Sequence, residues 1–235
     1  ISEAKRKYYC NASYFYNIDT ERKAYWLGFI TADGSISSDA EDFEMGLAKK
    51  DRGHLEQFIA DIEGTYPIHD IPHNGYASSQ ILICSPIFVE GIKSHGIKPN
   101  KTYETTFPLI PRSLIPHYIR GYFDGDGWVT FGKSSYIRAD GICANEMTIG
   151  FCGLENFLEK VRSIIEDNCI IGRSKISHSK ATKLLYVYNI KGNRQLVKVS
   201  NFLYENATIY LDRKRQLVLD HYRSLPKYRD QLRFG

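Results

Sequence analysis

Nine residues of this chain occur twice in closely similar form: Trp26 to Gly34 reads WLGFITADG and Ile119 to Gly127 reads IRGYFDGDG. Each is an apolar helical stretch that ends in an acid followed by glycine. In the first, the small residues Ala24, Gly28 and Ala32 fall at i, i+4 and i+8, one stripe of a helix; Gly121 and Gly125 take the equivalent stripe in the second. Glycine inside a helix costs roughly 0.5–1 kcal/mol relative to alanine, so its use in both copies needs a compensating gain, which close approach of two backbones supplies. The other positions, among them Tyr25, Trp26, Leu27, Phe29, Ile30, Ile119, Tyr122 and Phe123, are apolar nearly all round, as in a helix buried on several sides. The repeat therefore constrains the chain to two like halves that meet helix to helix at Gly28 and Gly121.

Such packing brings Asp33 and Asp126 together at one end of the helix pair. Both sit at helix C-termini, where the macrodipole is negative and the last carbonyls lack intrahelical partners. Two carboxylates there repel unless a cation bridges or flanks them, and Mg²⁺, which uses one or two carboxylates plus water and phosphate oxygens, suits that chemistry. Either Asp-Gly pair alone reads equally well as an ordinary turn; the two at matching places do not. A calcium loop over Asp124-Gly125-Asp126-Gly127 fails, because Trp128, Val129 and Ser135 stand where that loop needs an oxygen ligand, a glycine and a glutamate.

The pattern around the motifs is α+β. A helix capped by Asp19 or Thr20 runs from Glu21 to about Ala32, period-two runs follow through Phe43, Met45 and Leu47, and then come a helix near 52–62, a strand at 76–84 and a helix at 86–94. The prolines of 99–116 mark a connection. The order then repeats: a helix from near Ser113 with the second motif, strands at 128–133 and 147–151, a helix at 154–165, a strand at 183–190, and helices at 193–204 and 211–223. The expected architecture is thus two pseudo-symmetric α-β-β-α-β-β-α halves, with antiparallel, saddle-shaped sheets and the motif helices paired at the interface. Its divisions are an N-terminal extension (1–18), a first half (19–107), a linker (108–112) and a second half (113–235).

These residues resemble the LAGLIDADG homing endonucleases in their single-chain, two-motif form, over about Asp19 to Arg215. Two nine-residue motifs carry the likeness, with Gly121 93 positions after Gly28; weaker support comes from Gly96 to Thr102 and from Leu203-Tyr204 followed by Leu211 to Lys214. The resemblance implies a mobile-intron, sequence-specific DNA endonuclease that hydrolyses one phosphodiester per strand with Mg²⁺ or another divalent metal such as Mn²⁺, leaving 3′ overhangs. It makes Asp33 and Asp126 the metal-binding acids, assisted by the carbonyls of Ala32 and Gly125. Lys49 matches a strand-end catalytic position whose counterpart is Cys152, which implies unequal cutting of the two strands, and Lys101 and Lys214 match a later basic position. The sixth motif residues, Thr31 and Asp124, are unmatched and make poor catalytic candidates.

The partner implied is double-stranded DNA with a long pseudo-palindromic target, bound by a monomer. β-Ribbons reach base edges through the major groove, and the residues placed to do so are Ser35, Ser37, Tyr76, Ser78 and Gln80 in the first half. In the second they are Lys133, Ser135, Tyr136, Arg138, Arg173, Lys175, Ser177, Lys180, Lys183, Tyr186 and Tyr188. The basic stretch from Asp212 to Arg233 either follows the phosphate backbone or forms a solvated helix face.

Composition excludes more than it chooses. With 235 residues, 43% of them hydrophobic, a real core is affordable, and a formal charge of +4 neither requires nor forbids a polyanion. Five scattered cysteines without a C-x-x-C pair fit neither a disulfide framework nor a zinc site, and His69 and His73 lie in what reads as a turn. No run approaches the roughly 18 apolar residues of a membrane helix, so a soluble protein of the cytoplasm or of a DNA-containing organelle is expected. The competing reading is a LAGLIDADG-type nucleic-acid-binding protein without nuclease activity, an intron maturase or a regulator; such relatives often lose the motif acids, and this chain has both. An intein would need a splicing domain beside the two halves.

Overall fold

Thr20 opens the first motif helix, α1 (Glu21–Asp33): its Oγ1 accepts from the Lys23 N–H at 3.3 Å, satisfying one of the donors that a helix start leaves over. The computed structural model describes residues 7–73, 76–99, 104–137 and 143–235. After α1 come β1 (Gly34–Ile36), β2 (Asp42–Ala48), α2 (Arg52–Asp61), β3 (His69–His73), β4 (Tyr76–Cys84) and α3 (Pro86–Lys93). The second half repeats the order as α4 (Ile115–Asp126), β5 (Gly127–Ile137), β6 (Cys143–Gly153), α5 (Glu155–Cys169), β7 (Ile176–His178), β8 (Tyr186–Lys191) and α6 (Asn193–Tyr204). It then adds α7 (Asp212–Arg223) and the short α8 (Pro226–Arg229).

Each half folds its strands into a four-stranded antiparallel sheet, ordered β1-β2-β4-β3 and β5-β6-β8-β7. Burial follows the two-residue period of a strand. Phe43, Met45 and Leu47 of β2 face inward with Ile81 and Ile83 of β4, while Glu44, Gly46 and Ala48 face out. In the second sheet Met147, Ile149 and Phe151 of β6 join Tyr188 and Ile190 of β8 inside. The inner face of the first sheet meets α2 and α3 through the rings of Phe43, Phe58 and Phe88, and that of the second meets α4 through Phe123 and Phe151. Each sheet thus keeps one open face.

Three expectations change. His69 to His73, read as a turn, is strand β3; it lies at the sheet edge, where Pro72 forfeits no bond of an inner ladder. Tyr188, expected on the open face, is fully buried with its ring stacked on Phe151 at 6.0 Å, because it shares its parity with Ile190. Lys183 precedes β8 rather than lying in it. The second-half hairpin is also longer than its apolar runs suggested, with 11 residues in each of β5 and β6 against 3 in β1 and 7 in β2.

Candidate functional site

The two motif helices touch through backbone. A Cβ on Gly28 would sit 2.0 Å from the Tyr118 carbonyl oxygen, and one on Gly121 would sit 1.9 Å from that of Tyr25. Neither position admits a side chain, which is the gain that offsets two helix-interior glycines. One turn on, a Cβ on Gly125 would meet the Ala32 Cβ at 2.3 Å and the Asp33 Oδ2 at 3.0 Å. The carboxyl group of Asp33 therefore lies against the other helix, next to Asp126. Both acids act electrostatically on the Tyr122 hydroxyl and on the Lys214 ammonium, which places the pair in one local field.

A second device ties the helices together. Tyr25 and Tyr118 each stand three residues before the middle glycine of their motif, and each reaches across the seam to the sixth motif residue opposite. Tyr118 donates to Thr31 Oγ1 at 3.1 Å, and Thr31 donates on to the Leu27 carbonyl at 2.8 Å. Tyr25 donates to Asp124 Oδ2 at 2.8 Å and pairs with His54 Nε2 at 2.8 Å. Since the hydroxyl proton goes to the carboxylate, the imidazole must donate through Nε2. Burial holds His54 down at about 4, with the charge of Arg213 adding to the effect, so the ring is neutral at pH 7.

Asp124 is 1% exposed. Burial pushes its carboxyl up to about 6, against the opposing pull of Lys214, the Leu211 N–H, Tyr25 and Arg120. Its Oδ2 also accepts the Leu211 N–H at 2.7 Å, which fixes the start of α7; its Oδ1 is buried and has no hydrogen-bond partner. The sixth motif residue thus serves architecture, as its mismatch with Thr31 implied.

Three residues into α7, Lys214 turns its ammonium onto the end of α4. It donates to the carbonyls of Phe123 (2.7 Å), Asp124 (2.7 Å), Gly125 (3.2 Å) and Gly127 (2.5 Å), capping the negative helix end beside Asp126. Burial lowers it to about 8; Asp124, Asp33 and Asp126 oppose that shift and Arg213 adds to it. It remains a cation at pH 7. Arg120, fully buried, bolts the same region to the first half: it donates to the carbonyls of Ile209 and Leu203, both at 2.8 Å, and to Glu21 Oε1 at 2.7 Å, while Glu21 also receives Thr208.

A cavity of about 190 Å³ opens beside Asp126, lined by Thr31, Ala32, Tyr122, Cys152 and Gly153 among others. Two carboxylates at adjoining helix ends fit a hard divalent ion, which completes its shell with water and phosphate oxygens. Among the described residues no three His, Cys, Asp or Glu side chains cluster as a metal site, so a closed structural site of the zinc kind does not fit. The Gly125 carbonyl, expected as a metal ligand, already receives Lys214 at its longest contact.

Lys49 stands apart from this group. It begins a 3-10 helix (Lys49–Asp51) and pairs with Asp70 at 3.3 Å. The strands also revise its match to Cys152. Met45 lies opposite Gly34 as Phe151 lies opposite Gly127, so the counterpart of Cys152 by register is Gly46. Helix α2 begins four residues after Ala48, whereas α5 begins one residue after the equivalent Leu154; the three extra residues are Lys49, Lys50 and Asp51. Lys49 belongs to an insertion in the first half.

Of the residues expected to meet a ligand on the sheets, Ser35 is exposed on β1, Ser78 and Gln80 lie partly exposed on β4, and Ser177 is exposed on the open face opposite Val187. Ser37 is spent in the β1–β2 turn, donating to Asp39 and accepting from the Asp42 N–H. Tyr186 packs its ring on His178 at 4.2 Å. Arg173, Lys175, Lys180 and Lys183 are exposed in the segments flanking β7. Lys101 and Arg138 lie outside the described residues, as do the side chains of Tyr76, Lys133, Ser135 and Tyr136. Much of the basic C-terminal stretch is engaged within the fold: Arg213 with Asp51, Arg215 over the rings of Tyr210 and Phe234, and Arg233 with Glu205.

No protein-family model and no curated protein matches the sequence. Solved structures do match. The meganuclease I-SmaMI bound to uncleaveable DNA is similar at a TM-score of 0.59 and 13% identity, covering 92% of this chain and 100% of its own. The LAGLIDADG meganuclease I-AabMI bound to uncleaved DNA gives 0.57 and 14%, over 88% and 96%. The I-LtrWI LAGLIDADG homing endonuclease bound to target DNA gives 0.55 and 12%, over 92% and 93%. The fold is that of the LAGLIDADG homing endonucleases. I-SmaMI has also been seen on cleaved DNA and, on an uncleaved target, in the presence of calcium ions. The LAGLIDADG fold accounts for the paired glycine helices and the two open sheet faces. The tyrosine cross-braces went unnoticed in the sequence, although Tyr-x-x-Gly recurs at Tyr25 and Tyr118.

Proposed function

We propose that this protein is a sequence-specific, divalent-metal-dependent DNA endonuclease that cuts both strands of a duplex. The observation that carries the proposal is the meeting of Asp33 and Asp126 at adjoining ends of helices joined through Gly28 and Gly121, with the Lys214 ammonium beside them. Two acids related by a pseudo-two-fold serve two antiparallel strands, one cut each, across the minor groove with 3′ overhangs. The DNA-bound state of I-SmaMI, I-AabMI and I-LtrWI supports the same reading.

The residues have separate tasks. Asp33 and Asp126 hold Mg²⁺ or Mn²⁺, with the Ala32 and Gly125 carbonyls alongside. When bound, the ion activates water and neutralises charge gathering on the scissile phosphate. Lys214 keeps a fixed positive charge next to Asp126, where an anionic transition state gains most from it. By the resemblance, Lys49 and Lys101, both of the first half, are the candidates for further cations toward the phosphates. Ser35, Ser78, Gln80 and Ser177 read the duplex from the open faces, and the exposed Arg173, Lys175, Lys180 and Lys183 follow its phosphates. With both halves, 19–107 and 113–235, in one chain joined by 108–112, the protein works as a monomer on a long pseudo-palindromic target inside a DNA-containing compartment. No helix among the described residues is long and apolar enough to cross a membrane.

The test is cleavage in Mg²⁺ of duplexes recovered by binding from a randomised pool. Double-strand cutting is expected, and Asp33→Asn or Asp126→Asn should lower it by on the order of 10³-fold while leaving binding within a few-fold. Tight binding without any cutting would instead support a DNA-binding regulator, and selective binding of structured intron RNA a maturase.

A further inference from the structure

The first outward-facing residue after each motif differs sharply between the halves. Counting from the aligned glycines, Ser35 in β1 corresponds to Trp128 in β5, and their cross-strand partners are Glu44 and Gly150. Trp128 and Gly150 share the face opposite the inward row of Met147, Ile149 and Phe151. The indole lies directly on the glycine: a Cβ at Gly150 would fall 2.2 Å from Trp128 Cε2 and 2.3 Å from Cζ2. A mid-strand glycine weakens a strand unless something packs over it, and Gly150 is here the floor on which one side of the ring rests. The rest of the ring remains partly exposed on the open face, two residues after Asp126.

We propose that Trp128 is an apolar contact to the DNA duplex beside the cut in the second half-site, and that its contrast with Ser35 and Glu44 sets which way round the protein lies on its target. The inference rests on the DNA-binding reading above. A hydroxyl with a neighbouring carboxylate accepts hydrogen-bond donors and disfavours phosphate. An indole face instead favours thymine methyls, sugar edges and deformable steps. A duplex with unlike half-sites then binds in one orientation, because reversing it sets Trp128 on the half-site suited to Ser35.

The chain supplies its own reporter. It has two tryptophans, and the other, Trp26, is fully buried in the first half with its Nε1–H donated to Asp61 at 2.6 Å. Emission from the whole protein is titrated with a duplex selected from a randomised pool, with binding followed separately by gel mobility. Trp128 emission should change as the duplex binds, and the change should be absent in Trp128→Phe, which still covers Gly150. Trp128→Ala should bind about tenfold more weakly. Reselection with either variant should relax base preference on one side of the target centre only. Binding with unchanged emission, or symmetric relaxation, overturns the inference while leaving the nuclease reading intact; failure of every duplex to bind removes both.

Discussion

At the helix seam the two halves are nearly interchangeable: Gly28 meets the Tyr118 carbonyl as Gly121 meets that of Tyr25, with forbidden Cβ distances of 2.0 and 1.9 Å. Away from the seam they part. The first half carries three residues in β1 and the inserted Lys49–Asp51 turn; the second carries an 11-residue β5, the Trp128–Gly150 stack and the additional helix α7, from which Lys214 reaches back to α4. The contrast shows where symmetry is physically enforced. Two helices packed backbone to backbone leave no room for divergence, whereas the two sheets are separate, each with its own open face, and one can change without disturbing the other.

The largest effects should come from the symmetric part. Gly28→Ala and Gly121→Ala each place a methyl group inside a backbone carbonyl of the opposing helix, and neither partner is a side chain that can swing away. Each should cost about 3 kcal/mol or more, with the two values within about 1 kcal/mol of each other, as read from denaturant midpoints. A large difference between them would break the equivalence of the halves at the place where it looks strongest.

The seam was also the most legible part of the sequence. Glycines at matching offsets, apolar residues around the whole helix and an acid-glycine end state a packing problem with few solutions, and α1 and β4 fall where the pattern put them. The sheet edges were not legible, because parity depends on register. Tyr188 looked like a polar run's continuation and is core, since the count from Phe151 sets its face. Pro72 spoke against a strand, and only its edge position permits one. The candidate site was half legible: the meeting of the two acids follows from the repeat, whereas Lys214 was named only through the resemblance, and its place against α4 depends on the path of the chain, which spacing along the sequence does not encode.

That lysine gives the next comparison, of intermediate size. Its ammonium is held at about 8 by burial, so cleavage that needs its charge should fall about tenfold per pH unit above that value, most strongly on the strand served by Asp126. Stability should not fall with it. The folded value lies below the ordinary 10.5, so between about 8 and 10.5 the unfolded chain binds more protons at this group. Rising pH therefore favours the folded state there. Strand-specific nicking rates from pH 7 to 9.5, with circular dichroism in parallel, check both statements. Equal decline on both strands would make the two half-sites alike in charge as well as in fold, and loss of ellipticity in step with activity would refute the assignment to Lys214.

The smallest and sharpest comparison is between the cross-braces. Tyr25 and Tyr118 hold equivalent positions, but Tyr118 ends on a neutral hydroxyl and Tyr25 on a buried carboxylate that also anchors the Leu211 N–H. Hydrogen bonds to charged groups contribute more than neutral ones, so Tyr25→Phe should cost roughly 2 kcal/mol and Tyr118→Phe roughly 1 kcal/mol. The reason extends beyond the bond itself. Without the Tyr25 hydroxyl, Asp124 keeps one donor on Oδ2 and none on Oδ1 while remaining buried, and the His54 Nε2–H loses its acceptor. Thr31, by contrast, still donates to the Leu27 carbonyl when Tyr118 is cut back. Asp124→Thr should then bring the two sides closer to parity, with the cost of Tyr25→Phe in that background falling toward that of Tyr118→Phe. If the two tyrosine variants cost the same in the unaltered chain, Asp124 is not ionised in the folded protein, and the negative charge acting on Lys214 is that of Asp33 and Asp126 alone.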